Sequence, residues 1–129
     1  MEKIFTKKDI LEKGLKTLVE GTEGENNPKK SSDVKVYKLS EKTIKILEDR
    51  IKDEYTAHYY YRAATNWCKD MNYKKAAAFF ESEAADELEH AKMLEQYMTD
   101  FNIIPTIQKA NTTHTFDNLI DIVNGAYQM

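Results

Sequence analysis

The sequence predicts an all-α protein with two long antiparallel helices, the start of a third helix and an N-terminal extension. Three observations predict this fold class. Apolar residues recur every three or four positions along two long stretches. The chain contains only 4 glycines and 2 prolines, which leaves room for long uninterrupted helices. A length of 129 residues suits one domain rather than two.

The N-terminal extension is predicted to cover residues 1–38, before a helical domain at 39–129. Residues 1–20 have an amphipathic helical pattern, although Gly14 costs up to about 1 kcal/mol relative to alanine in a helix interior. The following stretch, "EGTEGENNPKKSSD", is rich in glycine, asparagine, serine and charge. This composition is typical of a linker. The extension is therefore expected to be a short helix joined to the domain by a linker.

The first long helix is predicted over residues 40–70. Ser40 stands directly before the periodic run, and serine at that position is a helix-start signal. One face then advances by alternating steps of three and four residues, which is typical of helices packed nearly parallel in a bundle. We call this face, with its counterpart on the second helix, the predicted seam. On the first helix the predicted seam contains Ile44, Leu47, Ile51, Glu54, His58, Tyr61, Thr65 and Cys68.

The second long helix is predicted over residues 73–99, after a turn at "KDMNY". Asp100, Asn102 and Pro105 are expected to end it. The stretch "NIIPTIQKANTTHT" is predicted to be a loop that crosses the end of the bundle or runs along it. A helical pattern restarts at Thr115. On the second helix the predicted seam contains Ala76, Phe80, Glu83, Glu87, His90, Leu94 and Tyr97.

Six polar side chains fall on the predicted seam, where the neighbours are apolar: Glu54, His58, Tyr61, Glu83, Glu87 and His90. A buried unpaired carboxylate costs several kcal/mol, so it shifts its pKa, finds a partner or binds a metal. Antiparallel helices would bring Glu54 close to Glu87 and His90, which share one side of their helix at i, i+3 spacing. Oxygen ligands with one imidazole suit iron or manganese better than a metal that prefers thiolates.

Less specific interpretations of the same residues stay open. A Glu-x-x-His pair in a charged stretch is common on a solvated helix surface, and it is the facing Glu54 that favours a metal site. His58 is expected to lie in the core or beside the ligands, while Tyr61 is either a core residue or a donor of a hydrogen bond or an electron. Glu83 is either a solvated edge residue or a group that hands ions to the site. Asp86 and Glu89 are expected to be solvated.

Composition excludes several classes of function. A net charge of −3 argues against a nucleic-acid partner, which would need a concentrated basic face. No run of about 18 apolar residues exists, so no membrane partner is expected. The first residues lack the apolar core of a secretory signal. Cys68 is the single cysteine and is expected to be a small buried hydrophobe, so a reducing cytoplasm is the predicted compartment.

Two further stretches are informative when they are taken together: "DEYTAHYYYRAATNWC" and "AAAFFESEAADELEHAKMLEQYMTDFNIIPTI". They resemble the first two helices of the ferritin family, and most closely its non-heme bacterial members. The resembling features are the carboxylate–tyrosine pattern, the "WC" before the turn, the E-x-x-H motif and the "Y-x-T-D" exit, all in the right order. The resemblance covers residues 40–105 well and 115–129 loosely. It implies the N-terminal half of a ferritin-like four-helix bundle.

The resemblance also implies residue roles. Glu54 looks like the first-helix iron ligand, Glu87 like the carboxylate that bridges two irons, and His90 like the imidazole on the first iron. Tyr61 looks like the tyrosine held close to the ferroxidase centre. In the family, Fe(II) is oxidised by O₂ or peroxide at a di-iron centre, and ferric mineral is stored inside a 24-subunit cage. Nothing is carried over to His58 or Glu83.

The chain departs from the ferritin pattern in two respects. It has no counterpart of the fourth helix, and the third-helix carboxylate of the second iron position would fall at or just after Met129. The first 38 residues have no counterpart either. The expectation is a fragment of a longer ferritin, or else a half-bundle that pairs with a second copy, as encapsulated ferritin-like proteins do. In the second case residues 1–20 could be a docking peptide, a packing helix or a disordered tail.

The expected function is Fe(II) binding, with ferroxidase activity and iron storage once a full bundle forms in a homo-oligomer. The alternative is a half-ferritin that serves as an assembly or interaction module without a complete ferroxidase centre. A peroxidase of the rubrerythrin type is disfavoured because no rubredoxin-like cysteine pairs are present. A DNA-protecting mini-ferritin is disfavoured because its first-helix ligands are placed differently and no basic tail appears.

Overall fold

The computed structural model describes residues 38–129, and residues 1–37 lie outside the described residues. The predicted N-terminal helix and the predicted linker both fall in that outside part. Over the described range the chain forms three helices and no strand: α1 (Glu41–Asp70), α2 (Lys74–Asp100) and α3 (Leu119–Tyr127). The prediction of an all-α fold is confirmed, with two long helices followed by a third helical segment at Leu119–Tyr127.

Helix α1 begins and ends where its capping residues place the boundaries. The Ser40 side chain accepts a hydrogen bond from the backbone N–H of Thr43 at 3.1 Å, which satisfies one of the free amides of the first turn. After Asp70 the chain reaches Asn72, whose φ of 64° lies in the left-handed region that asparagine tolerates better than most residues. This residue reverses the chain within a short turn, so α2 returns antiparallel along α1.

The buried face of α2 differs by one residue from the predicted seam. Its buried residues are Ala77, Phe80, Ala84, Ala91 and Met98, and four of these repeat every seven positions. The predicted seam at residues 76, 83, 90 and 97 is therefore wrong in phase, and Tyr97 is exposed. The three alanines let the two long helices approach closely, and a pattern read from large side chains overlooks them. The rotation moves Glu83, Glu87 and His90 to the edge of the helix interface.

The predicted seam of α1 is partly confirmed. Ile51, Glu54, Thr65 and Cys68 are buried, but Ala57, Tyr60 and Ala64 also carry the buried face through the middle of the helix. Small residues again replace large ones where α2 comes close.

The segment between α2 and α3, residues 101–118, runs along α1 rather than across the end of the helix pair. The backbone N–H of Thr106 donates to Glu48 Oε2 at 2.8 Å, and Gln108 Nε2 donates to Asp49 Oδ1 at 2.9 Å. Further on, the Phe116 ring lies 5.3 Å from the Tyr60 ring in an edge-to-face arrangement. The contacted residues lie successively further along α1, so the segment follows this helix until α3 begins.

Helix α3 begins at Leu119, later than the predicted restart at Thr115, because Asn118 caps it. The Asn118 side chain accepts a hydrogen bond from the backbone N–H of Asp121 at 2.9 Å. The helix docks through the Tyr60 hydroxyl, which donates to the Ile122 carbonyl at 2.6 Å. Gly125 allows this approach, since a Cβ there would fall on that hydroxyl. The buried cluster beneath α3 comprises Tyr60, Ala64, Cys68, Ala77, Phe80 and Ile122.

Two further features bear on the sequence predictions. Among residues 38–129, no helix is long and apolar enough to cross a membrane. Cys68 is a free, fully buried thiol, and burial raises its pKa. This agrees with its predicted role as a small buried hydrophobe, while the cytoplasmic compartment stays a prediction.

Candidate metal centre

Glu54, Glu87 and His90 meet at the middle of the two long helices. Glu54 lies on α1, and Glu87 and His90 lie one turn apart on α2. Each residue offers one ligand atom, and these three atoms all lie within 4.8 Å of one another. Within the described part of the chain this is the group of acidic, histidine or cysteine side chains that could hold a metal ion. The predicted approach of residue 54 to residues 87–90 is confirmed.

Glu54 is the buried member of the group, and both of its carboxylate oxygens have partners. Its Oε2 lies 3.2 Å from His90 Nδ1. Its Oε1 lies 3.2 Å from the Arg50 guanidinium, one helical turn earlier on α1. Only 5% of the Glu54 side chain is exposed, so an unpaired charge there would be costly. The two contacts compensate that cost in the metal-free chain.

Glu87 is less buried than Glu54, and its negative charge is less well compensated. Its Oε1 lies 3.8 Å from His90 Nδ1. Burial raises the pKa of the Glu87 carboxyl above its ordinary value, the nearby Glu54 carboxylate and the charge of Glu83 raise it further, and His90 opposes the shift. A carboxylate in this position favours a compensating positive charge.

His90 lies at the rim of the group, with 52% of its side chain exposed. The six polar residues of the predicted seam were expected to be buried. This prediction is right for Glu54 and wrong for His90. The cause is the one-residue rotation of α2, which turns His90 toward the outside of the helix pair. The imidazole is consequently reachable from solvent on one side while Glu54 closes the other.

The remaining polar residues of the predicted seam take different positions. Tyr61 lines the same cleft as Glu54 and Glu87. Burial raises the pKa of its phenol, and the charges of Glu83 and Glu87 add to the shift. His58 is not part of the group, because its Nδ1 donates to the Ala84 carbonyl at 2.7 Å. As expected, Asp86 and Glu89 are exposed.

Arg50 is a member of the site that the sequence interpretation missed. The available signal was its spacing, because an arginine four residues before a glutamate on a helix is placed to form an ion pair. A second missed contact joins the Tyr55 hydroxyl to Glu95 across α1 and α2, and it raises the pKa of Tyr55 to about 12. These residues are 40 positions apart, so no local pattern could indicate the contact.

A cleft of about 500 Å³ opens beside the group. Its lining includes Arg50, Glu54, Tyr61 and Glu87, together with three residues at and after the end of α3. These residues are Ala126, Gln128 and Met129. The cleft leads directly to the carboxylates, so a small hydrated ion has access to them.

The donor set fits a hard or borderline divalent cation. Two carboxylates and one imidazole are ligands typical of iron and manganese sites, whereas a thiolate-preferring metal would find no sulfur in the group. Three protein ligands leave other coordination positions for water, substrate or further protein groups. The arrangement can therefore bind a redox-active ion while keeping part of its coordination sphere open.

An antiparallel helix pair with a carboxylate on one helix and a Glu-x-x-His pair on the other corresponds to half of the ligand pattern found in ferritin-like four-helix bundles. A family model described as a ferritin-like domain matches residues 44–129, and the chain belongs to this family. The resemblance to the ferritin family, inferred from the sequence, is confirmed.

Curated relatives carry corresponding names. The chain is 28% identical over 91 residues to a bacterial non-heme ferritin of Campylobacter jejuni, covering 70% of this chain and 54% of that protein. It is 24% identical over 91 residues to a probable bacterial non-heme ferritin-like protein of Haemophilus influenzae, covering 70% and 55%. It is 26% identical over 108 residues to a bacterial non-heme ferritin of Staphylococcus saprophyticus, covering 67% and 65%. The chain thus spans less than two thirds of each relative's length.

Proposed function

We propose that the chain binds Fe(II) through Glu54, Glu87 and His90 and, in a completed bundle, oxidises it for storage. One observation carries the proposal: three ligand atoms of the types that iron uses lie within 4.8 Å of one another in a ferritin-like domain. The relatives named as non-heme ferritins support iron as the metal.

The two carboxylate ligands are proposed to have different roles because they differ in burial. Glu54 is the fixed inner ligand, since α2 covers it and His90 holds one of its oxygens. Glu87 lines the cleft and is proposed as the second carboxylate ligand. Its resemblance to the bridging carboxylate of the ferritin family supports a role shared between two iron ions. A bound cation removes the repulsion between these two carboxylates, which favours loading of the site.

Oxidation requires two Fe(II) ions and an acceptor. Each Fe(II) gives up one electron, and O₂ takes two electrons and two protons to form hydrogen peroxide. Peroxide as acceptor takes two electrons and two protons to form two water molecules. Tyr61 is the proposed catalytic residue, because its phenol lines the cleft beside Glu87 and can donate a hydrogen bond or an electron there. The Fe(III) product then moves on to storage.

A di-iron centre needs more ligands than residues 38–129 supply in one copy. A homo-oligomer is proposed to complete it. Two half-bundles related by a two-fold axis would bring two copies of Glu54 and two Glu-x-x-His pairs, which is the ligand inventory of a di-iron bundle. In a ferritin-type cage, further helices would supply the remaining carboxylates. Residues 39–129 are proposed as the iron-binding domain and residues 1–38 as an extension to it.

The second candidate function is an assembly or interaction module without a complete ferroxidase centre. The observation that favours it is the half-exposed His90 in a set of only three ligand atoms among the described residues. Under this alternative the oligomer forms equally well in the presence of a chelator, and Fe(II) is not oxidised faster than in buffer.

Oxidation kinetics test the proposal. Fe(II) is mixed with O₂-containing buffer, and the appearance of Fe(III) is followed by its ultraviolet absorbance. We expect the wild-type chain to accelerate oxidation and Tyr61→Phe to lower the initial rate several-fold while leaving the Fe(II) affinity unchanged. Tyr59→Phe, two positions away on α1 and partly exposed, is the matched control and should keep the wild-type rate. A wild-type rate equal to that of buffer would favour the assembly module.

A further inference from the structure

Arg50 places a positive charge directly beside a carboxylate that the proposed site uses to hold a cation. Its guanidinium lies 3.2 Å from Glu54 Oε1. The two side chains differ greatly in exposure, because 62% of the Arg50 side chain is exposed against 5% for Glu54. Arg50 also lines the cleft that leads to the carboxylates. The buried charge thus has a partner that reaches in from solvent.

This pairing answers an electrostatic need of the metal-free chain. Glu54 lies between two long helices, and a nearly buried carboxylate without a counter-charge is destabilising. His90 occupies the second oxygen and Arg50 the first, so each oxygen has one partner. Removing either partner leaves the carboxylate less compensated.

A divalent cation that binds Glu54 changes this balance. It would supply the same compensation from the side of Glu87 and His90, and it would be repelled by a guanidinium next to the shared carboxylate. The arginine can withdraw at little cost, since its side chain is long, flexible and mostly in solvent. The arginine and the metal therefore compete for one carboxylate.

We propose that Arg50 is a displaceable counter-ion of Glu54, which stabilises the metal-free chain and lowers the affinity of the site for divalent cations. The inference rests on the proposed function, because it takes Glu54 as a metal ligand. It assigns Arg50 an effect of opposite sign on two measurable quantities. A purely structural residue would affect both in the same direction.

The test compares Arg50→Gln with Arg50→Lys, which keeps the charge, and with Arg62→Gln. Arg62 is an exposed arginine on the same helix, so its substitution removes the same charge away from the site. Fe(II) affinity is measured by anaerobic calorimetric titration, and the urea midpoint is measured with chelator present. We expect Arg50→Gln to bind Fe(II) about tenfold more tightly while its metal-free urea midpoint falls.

The controls sharpen this expectation. Arg50→Lys should stay close to wild type in both measurements, and Arg62→Gln should leave the affinity unchanged. Raising the salt concentration should narrow the affinity gap between wild type and Arg50→Gln, because salt screens the guanidinium.

Each contrary result has a distinct meaning. If Arg50→Gln binds Fe(II) more weakly than wild type, or equally well, the counter-ion role is overturned while the Fe(II) site stands. If the wild-type chain binds no Fe(II), the proposed function and the counter-ion role are overturned together. A tenfold gain shared by Arg62→Gln would show a general charge effect and would also overturn the specific role of Arg50.

Discussion

Around Tyr60, Phe80 and Ile122 the three helices bury aromatic and aliphatic side chains, whereas around Glu54, Glu87 and His90 the two long helices carry charges beside a cleft. We call the first region the packed end and the second the site end. Both regions use the same α1–α2 pair, and the difference lies in what covers it. Helix α3 seals the packed end through Tyr60 and Ile122, and only its last residues reach the cleft.

A small helical domain can tolerate a cluster of charged side chains when another part of the same helix pair is well packed. Burial of apolar area at the packed end stabilises the helix pair as a whole. The site end can then hold two nearby carboxylates, one of them with a raised pKa, although their repulsion opposes folding. Removing the disfavoured charge of Glu87 at the site end should consequently change stability in the opposite direction to removing an apolar side chain at the packed end.

The largest expected effect is at the packed end. Phe80→Ala should lower the free energy of unfolding by about 3–4 kcal/mol, because it removes a buried ring and leaves a cavity. Urea denaturation followed by circular dichroism gives the value. Phe79→Ala is the matched control, since the neighbouring ring is 57% exposed and its loss should cost less than about 0.5 kcal/mol. Equal losses for the two variants would show that the packed end is placed wrongly.

The next effect concerns the docking of α3. Alanine normally stabilises a helix by about 1 kcal/mol relative to glycine, but at position 125 its Cβ would fall on the Tyr60 hydroxyl. Gly125→Ala should therefore lower the free energy of unfolding, by about 1 kcal/mol net of the helix gain. Thermal denaturation measures it. Asn124→Ala, at an exposed neighbouring position, should be neutral or slightly stabilising, and a stabilised Gly125→Ala would contradict the docking geometry.

Glu87, at the site end, should respond with the opposite sign. In the metal-free chain, Glu87→Gln should raise the free energy of unfolding by about 0.5–1 kcal/mol, because it removes a charge that the folded state disfavours. Urea denaturation in chelator at neutral pH measures the change. Glu89→Gln, exposed on the same helix, should be close to neutral. A clear loss of stability in Glu87→Gln would mean that the carboxylate stabilises the folded state, contrary to this expectation.

The smallest effect is a dependence on alkaline pH at the packed end. Burial raises the pKa of the Tyr60 phenol above its ordinary value of 10.0, and Tyr61 and Asp121 add to the shift, while a backbone contact at Ala126 opposes it. The titratable groups that face the phenol are Tyr61 on α1, His114 in the connecting segment and Asp121 on α3. Because the folded-state pKa exceeds the unfolded value, the contribution of Tyr60 to stability is complete below pH 10 and is lost as pH rises through the folded-state pKa.

Thermal midpoints measured from pH 8 upward test this sign. The wild-type midpoint should fall more steeply above pH 10 than the midpoint of Tyr60→Phe, which has no proton to lose at that position. Tyr73→Phe removes an exposed phenol and should retain the wild-type slope. Parallel curves for wild type and Tyr60→Phe would contradict the account.

The helix boundaries could be predicted from the sequence because they depend on local signals. Ser40 fixes the start of α1, and the turn residues after Asp70 fix its end. The start of α3 was misplaced because the apolar pattern begins at Phe116, whereas the capping residue is Asn118. Phe116 belongs to the connecting segment and packs on Tyr60 there. An apolar residue at this position therefore does not indicate that the helix has already begun.

The three candidate ligands could be predicted from the sequence, but their burial could not, and Arg50 was missed. Spacing alone placed Glu54 opposite Glu87 and His90. The exposure of His90 depended on the phase of α2, which is set by Ala77, Ala84 and Ala91. Alanine contributes little to a hydrophobic pattern, yet it decides which face of a helix comes closest to its neighbour. The contact between Tyr55 and Glu95 needs the same three-dimensional information.

An anaerobic Fe(II) titration that counts iron bound per chain tests the proposed Fe(II) site most directly. The wild-type chain is compared with Glu87→Ala/His90→Ala and with Glu89→Ala, which removes an exposed carboxylate between the two ligands. We expect about one Fe(II) per chain for wild type and Glu89→Ala, because two chains would share a di-iron centre, and loss of binding in the double variant. Binding that is absent from wild type, or unchanged in the double variant, would contradict this expectation.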